Sequence, residues 1–213
     1  MGEVQGKARQ YIEPMAFRLA LPSLPPWLAW PGQCALCHAW GPHTLCTTCL
    51  RDWQRPVCRC ARCALPLAPH RPDACADCDV RPPEFDRAVA AVHYAPPWST
   101  LIARLKFQGQ TPLAAPLGQL LADAVRAQRL LAAQAGPAAD MPWPDVVLPV
   151  PLSWHRLQER GYNQSWLLAQ ACGRSLGLPT RHDVLRRVQH TDRLMGMGAE
   201  ARSHALRNAF AVR

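Results

Sequence analysis

The sequence predicts an α/β fold, a sheet with flanking helices, preceded by a small metal-binding module. Eight of the ten cysteines fall into Cys-x-x-Cys pairs between residues 34 and 78. Further on, Asp145–Leu152 (DVVLPVPL) is a continuous apolar run of the kind that fills the centre of a parallel sheet. Amphipathic helical periodicity lies on both sides of that run.

The cysteine pairs are Cys34/Cys37, Cys46/Cys49, Cys60/Cys63 and Cys75/Cys78. Two intervening residues let both thiolates of a pair face one ion from a tight knuckle, and a second knuckle completes a four-thiolate site. The gaps of eight residues (38–45) and eleven (64–74) suit the short arms of zinc ribbons. Two structural zinc ions are therefore expected. Disulfides are disfavoured by the small ring such a pair would close, and iron–sulfur clusters by the division into knuckles. Spacing leaves open whether neighbouring knuckles share an ion or the pairs alternate, although the shorter loops favour neighbours. His38 and His43 lie in the first ribbon loop, where cysteines already fill the coordination sphere. Cys58 is expected to be a spectator and Cys172 a buried thiol. With few apolar residues in the segment, metal binding should supply much of its folding free energy, and metal removal should unfold 34–78 while sparing the downstream helices.

Beyond Cys78, Arg81-Pro82-Pro83 reads as a linker and Arg87–Tyr94 as a strand with Val89, Ala91 and His93 on one face. Ser99–Phe107 and Leu113–Gln134 read as helices, and 136–144 as a loop. After Asp145–Leu152 the chain is expected to loop through Arg160 and Gly161. A helix from Asn163 to Leu176 should follow, capped by Asn163 or Ser165. Arg156, Arg160, Gly161, Asn163 and Gln164 thus gather two guanidiniums and two amides between a strand end and a helix N-terminus. That arrangement suits a phosphate or pyrophosphate, and a solvated loop with an N-cap would show the same residues.

The formal net charge is +9, and all but two of the 24 basic residues are arginine, Lys7 and Lys106 being the exceptions. Arginine suits planar recognition of phosphate, although a GC-rich coding sequence enriches it with no ligand at all. The ribbons carry Arg51, Arg55, Arg59, Arg62 and Arg71 beside Trp53, a modest footprint for single-stranded DNA once Asp52, Asp73 and Asp77 are counted. Residues 156–213 carry ten arginines against four acids and are more basic. No apolar run is long enough for a membrane span. Glu3, Glu13, Pro22, Pro25 and Pro26 interrupt the first 30 residues, so no secretory leader is expected and the compartment is expected to be cytoplasmic.

The order of these segments carries a resemblance. Cys-x-x-Cys knuckles, PPEFDRAVAAVHY, LIARLKFQGQTPLAAPLG, VVLPVPLSWHRLQERGYNQSWLLA and NAF together resemble the ComF competence-protein family, from about Cys34 to Phe210. That resemblance implies a type I phosphoribosyltransferase-like domain behind a double zinc ribbon, with a link to natural transformation and DNA uptake. It divides the chain into a lead-in (1–33), a double zinc ribbon (34–80) and a phosphoribosyltransferase-like domain (84–213). It implies phosphoribosyl pyrophosphate as the ligand of intact relatives, with Pro149-Val150-Pro151 at the pyrophosphate. Arg160–Gln164 would lie in or beside a mobile loop, and Lys106 would face the phosphates.

The family's acidic pair and Thr/Gly-rich phosphate loop are not found in this sequence, and Leu194, Met195 and Ala205 replace polar residues. The sheet is therefore expected to be incomplete at the C-terminus and the transferase chemistry lost, with Mg2+ expected only where that motif is present. Two functions follow: a ComF-like role in DNA uptake without turnover, or a zinc-ribbon adaptor that binds nucleic acid or the competence machinery.

Overall fold

The computed structural model describes residues 32–68, 74–134, 136, 141–189, 191 and 196–213. The lead-in up to 31, Arg71 and the departures at Leu194 and Met195 lie outside the described residues. The architecture is mixed, with helices and two small antiparallel sheets.

Strands β1 (Gly32–Gln33) and β2 (Trp40–Gly41) pair antiparallel around the first knuckle, and helix α1 (Thr47–Trp53) begins inside the second and contains Cys49. Helix α2 (Ala76–Val80) holds the same place in the fourth knuckle and contains Cys78. Helix α3 (Trp98–Phe107) buries Trp98, Leu101 and Leu105, spaced by three and then four residues, which puts them on one face. A single 3₁₀ turn, Thr111–Leu113, leads into α4 (Ala114–Gln134), where Pro116 is tolerated because it lies in the first turn. Then come α5 (Trp154–Arg160), α6 (Gln164–Leu176), β3 (Leu185–Arg187), α7 (Ala199–Leu206) and β4 (Phe210–Val212). Strands β3 and β4 pair antiparallel, Leu185 opposite Val212 and Arg187 opposite Phe210.

Helices α4 and α6 form the most extensive packing, and Gly118 sets their separation. A Cβ there would lie 2.4 Å from the Ala171 Cβ and 3.0 Å from the Leu168 carbonyl oxygen. Arg126 fastens the same pair, donating to the Ser175 carbonyl and, at 3.1 Å, to its hydroxyl. The main core joins Trp98, Leu101, Leu105, Leu113, Leu117 and Leu120 to Leu45 of the first ribbon, with Ala35, Leu36 and Leu50 packed against it. Two hydrogen bonds tie the same parts. Trp98 Nε1 donates to the Trp53 carbonyl at 3.2 Å, and Arg104 Nη1 donates to the Ala35 carbonyl at 3.2 Å. The second ribbon instead has its own small cluster, Cys60, Cys75 and Cys78 with Leu67 and Ala74.

The expected helices stand within a residue of their sequence limits, with Asn163 as the N-cap of α6, its Oδ1 accepting from Ser165 N at 2.9 Å. Cys172 is buried, and that burial raises its thiol despite the nearby Arg126. The two expected strands do not form. Arg87–Tyr94 is irregular, and of its amides Ala88 N donates across to the Arg62 carbonyl at 2.7 Å. Within Asp145–Leu152 the chain makes one parallel bridge, Val147 to Thr180. Pro149 and Pro151 lack the N–H that a ladder needs, and a strand exists only where a neighbour supplies its hydrogen bonds. The segment expected to loop through Arg160 is instead helix α5. Ser153 is its N-cap, and Gly161 ends it in the left-handed region at φ 79°.

Candidate metal centres and phosphate site

The four knuckles build two compact sulfur clusters. Cys34, Cys37, Cys46 and Cys49 form one, and Cys60, Cys63, Cys75 and Cys78 the other, with all four Sγ atoms of each within 4.8 Å of one another. Neighbouring knuckles thus share a site, which decides against the alternating arrangement. Cys37 and Cys46 Sγ are 3.7 Å apart, as are Cys63 and Cys75 Sγ. A tetrahedral ion with bonds of ~2.3 Å sets sulfurs about 3.8 Å apart, so the spacing fits one ion per cluster. It is far longer than the ~2.05 Å of a disulfide. It is also tight for an iron–sulfur cluster, whose cysteines bind separate iron atoms.

The clusters are built the same way twice. In the first knuckle Cys34 N donates to Ala39 O at 2.9 Å and His38 N to Cys34 O at 2.9 Å. In the third, Cys60 N donates to Leu65 O at 2.8 Å and Ala64 N to Cys60 O at 2.9 Å. Cys46 and Cys75 are the N-caps of α1 and α2. Their amides donate to the Cys34 and Cys60 sulfurs, each at 3.4 Å. His38 and Ala64 turn each knuckle at φ 59° and 61°, a region that favours glycine. This duplication is a signal the cysteine spacing alone did not disclose, although Cys34-Ala35-Leu36-Cys37 and Cys60-Ala61-Arg62-Cys63 already share a Cys-Ala-x-Cys core.

Electrostatics show why each cluster calls for a cation. Burial raises the Cys34 thiol, but amide donors from Cys37, Cys46 and Leu36 outweigh it and bring it down to about 6. Cys60 behaves alike, at about 6, with amides of Cys63, Cys75 and Arg62. Burial and then the neighbouring thiols push Cys49 up to about 12, and the same causes push Cys78 up. Four crowded sulfurs cannot all ionise until a positive ion sits among them. Cys58 stays outside both clusters and is exposed.

The expected phosphate-site residues are partly gathered. Asn163 Nδ2 donates to the Val150 carbonyl at 3.2 Å, which joins the Pro149-Val150-Pro151 segment to the start of α6. Gly161 is the left-handed residue between α5 and α6, and Gln164 opens α6. Arg160 donates to Gln164 Oε1 and stacks 5.2 Å from the Phe107 ring centroid. Lys106 precedes that ring, in the last turn of α3, and the Tyr162 hydroxyl donates to the Leu105 carbonyl. Arg156 turns elsewhere, with Nη2 donating to the Thr191 carbonyl at 3.3 Å.

Against known proteins, the chain is 35% identical over 186 residues to a "DNA utilization protein YhgH" of Salmonella typhi, covering 84% of this chain and 77% of that one. It is 34% identical over 184 residues to the protein of that name in Escherichia coli K12, with the same coverage. Competence protein F of Haemophilus influenzae is 37% identical over 138 residues, 65% of this chain and 57% of that one. The chain belongs to the ComF family. The two four-cysteine clusters fit the double zinc ribbon expected of a ComF protein. No family model matches the chain, and no solved structure does. Among the described residues of this ComF protein, no helix is long and apolar enough to cross a membrane.

Proposed function

We propose that this protein serves competence and DNA utilization, the roles its relatives' names give to them. The observation that carries the reading is the similarity over 84% of the chain to a DNA utilization protein. Both four-cysteine sites hold zinc, and their role is structural, since four cysteines fill each coordination sphere and leave no open position for a reacting water. The parts are a double ribbon over 34–80 and a phosphoribosyltransferase-like unit over 84–213. The latter binds a phosphate ligand through Arg160, Gly161, Asn163 and Gln164 about the start of α6, with Lys106 contributed from the last turn of α3. Support for that site is the Asn163–Val150 bond, which brings the Pro149-Val150-Pro151 segment against the N-terminus of α6, the positive end of the helix dipole. The reading needs no turnover, and it places the protein in the cytoplasm, where thiolate sites stay reduced.

The test is genetic and biochemical. Deleting the gene in its host should lower DNA uptake or growth on DNA, and complementation should restore it; unchanged phenotypes would overturn the role. Elemental analysis of the purified chain should find two zinc ions, and another metal would correct their identity. Calorimetric titration with phosphoribosyl pyrophosphate should give saturable heat that Arg160→Ala abolishes, and absence of heat from zinc-loaded protein would remove the phosphate site.

A further inference from the structure

The two sulfur clusters share a plan but not an environment. In the first, Cys37 is exposed and Cys46 half-buried, with Cys34 and Cys49 buried. In the second, Cys63 is half-buried, and Cys60, Cys75 and Cys78 are buried. Reagents in water therefore meet a ligand sulfur most readily at Cys37, whose Sγ lies 3.7 Å from that of Cys46. Cys58 is exposed too, but it belongs to neither cluster.

Cys46 also joins the first metal site to the main core. Its Sγ caps α1 by accepting from Cys49 N at 3.4 Å, whereas the Cys75 side chain makes no cap bond to α2. Its neighbour Leu45 is buried in the core cluster that holds Leu101, Leu117 and Leu120. Ala35 N donates to the Thr44 carbonyl at 2.8 Å, which ties the first knuckle to the approach to the second. A displacement of Cys46 is thus transmitted to Leu45 and to the first turn of α1. The second metal site packs on Leu67 and Ala74, in a cluster separate from that core.

We propose that Cys37 is a thiol-oxidation site: hydrogen peroxide attacks it, Cys46 completes a disulfide, and the first ribbon loosens from α3 and α4. This rests on the zinc reading above. In the first step the Cys37 thiolate forms a bond to one peroxide oxygen. The O–O bond breaks, and the hydroxide that leaves takes a proton to become water. In the second step the Cys46 sulfur attacks the sulfenic acid at Cys37. The S–S bond forms, the S–O bond breaks, and the hydroxide released is also protonated. Each sulfur loses one electron and the peroxide gains both. Closure from 3.7 Å to the ~2.05 Å of a disulfide is a movement of about 1.7 Å, within reach of side-chain rotation. A disulfide sulfur is uncharged and accepts less strongly than a thiolate, so the α1 cap weakens. Cys34 and Cys49 by themselves do not fill a tetrahedral set, and they take up protons as the ion passes to water. A thiol reductant together with zinc reverses the sequence.

Treating the zinc-loaded full chain with hydrogen peroxide tests it, read by a chromogenic zinc chelator, peptide mapping of disulfides and amide exchange. One zinc equivalent should leave on the order of tenfold faster than the other, since oxidation follows thiol exposure. The Cys37–Cys46 disulfide should form at that faster rate. Amide protection of α3 and α4 should fall with it and return on reduction in the presence of zinc. Cys58→Ser removes the other exposed thiol and should leave the fast phase unchanged. Cys63→Ser/Cys75→Ser removes the second site and should retain the fast phase. Equal release from both sites, loss of the fast phase in Cys58→Ser, or a first disulfide between other cysteines overturns the proposal. Fast release with α3 and α4 still protected overturns the loosening and leaves the oxidation site standing. A purified chain without zinc removes the zinc reading itself, and metal analysis before oxidation tells that failure from the others.

Discussion

Replacing Cys37 and Cys46 by Ser strips two thiolates from the first metal site and leaves the second whole. In this structure the change reaches well beyond the ribbon. Leu45 is 3% exposed and sits in one core with Leu101, Leu105, Leu117 and Leu120, with Ala35, Leu36 and Leu50 packed alongside. Burial of Leu45 contributes about 2 kcal/mol and the three flanking residues about 2 more. The Trp98–Trp53 and Arg104–Ala35 hydrogen bonds add about 1 kcal/mol each. Partial collapse of the denatured chain trims the sum to roughly 4–5 kcal/mol, a large share of a typical domain's 5–15. Amide exchange in α3 and α4 should then lose about a thousandfold protection, at 1.4 kcal/mol per factor of ten. The matching Cys63→Ser/Cys75→Ser variant should change those helices less than about tenfold, because the second ribbon packs on its own cluster. Hydrogen exchange with mass spectrometry reads both. Equal effects from the two pairs of substitutions, or intact protection of α3 and α4 after loss of the first metal, would refute the reasoning. The sequence expectation that metal removal spares the downstream helices is the very outcome that would do so.

Gly118→Ala should destabilise the protein by about 1–3 kcal/mol in denaturant titration despite alanine's better helix propensity, because its methyl would overlap Ala171. His38→Gly and Ala64→Gly should each stabilise the metal-loaded fold by up to about 1 kcal/mol, since both residues sit at positive φ; a lower Tm in either would contradict the knuckle geometry. Arg181 holds the Asp183 carboxyl down at about 2, below its ordinary value near 4. The pair therefore stabilises the fold above about pH 4 and stops doing so as pH falls towards 2, and Asp183→Asn should flatten that part of the acid unfolding curve.

Local chemistry was legible in the residue order. The knuckles follow from Cys-x-x-Cys spacing, and α3, α4 and α6 from apolar residues three and four apart, because both patterns act over a single turn. Asn163 was readable as a cap for the same reason, since its acceptor and the amide it serves lie two residues apart. What spacing could not supply were relations across the chain. Which knuckles share an ion became clear only from the sulfur positions, 3.7 Å apart across the Cys37–Cys46 and Cys63–Cys75 loops. The apolar run at 145–152 has a strand's composition, yet its ladder depends on neighbours, and it meets one at Val147 alone. Arg156 and Arg160 looked like one phosphate set, until Arg156 was seen to reach Thr191, 35 residues away, and Arg160 to stack on Phe107. By itself the sequence determined four Cys-x-x-Cys knuckles ahead of a largely helical chain. Tertiary structure decided that the first metal site belongs to the main core and the second does not, because burial of Leu45 is settled by long-range packing that no local pattern encodes.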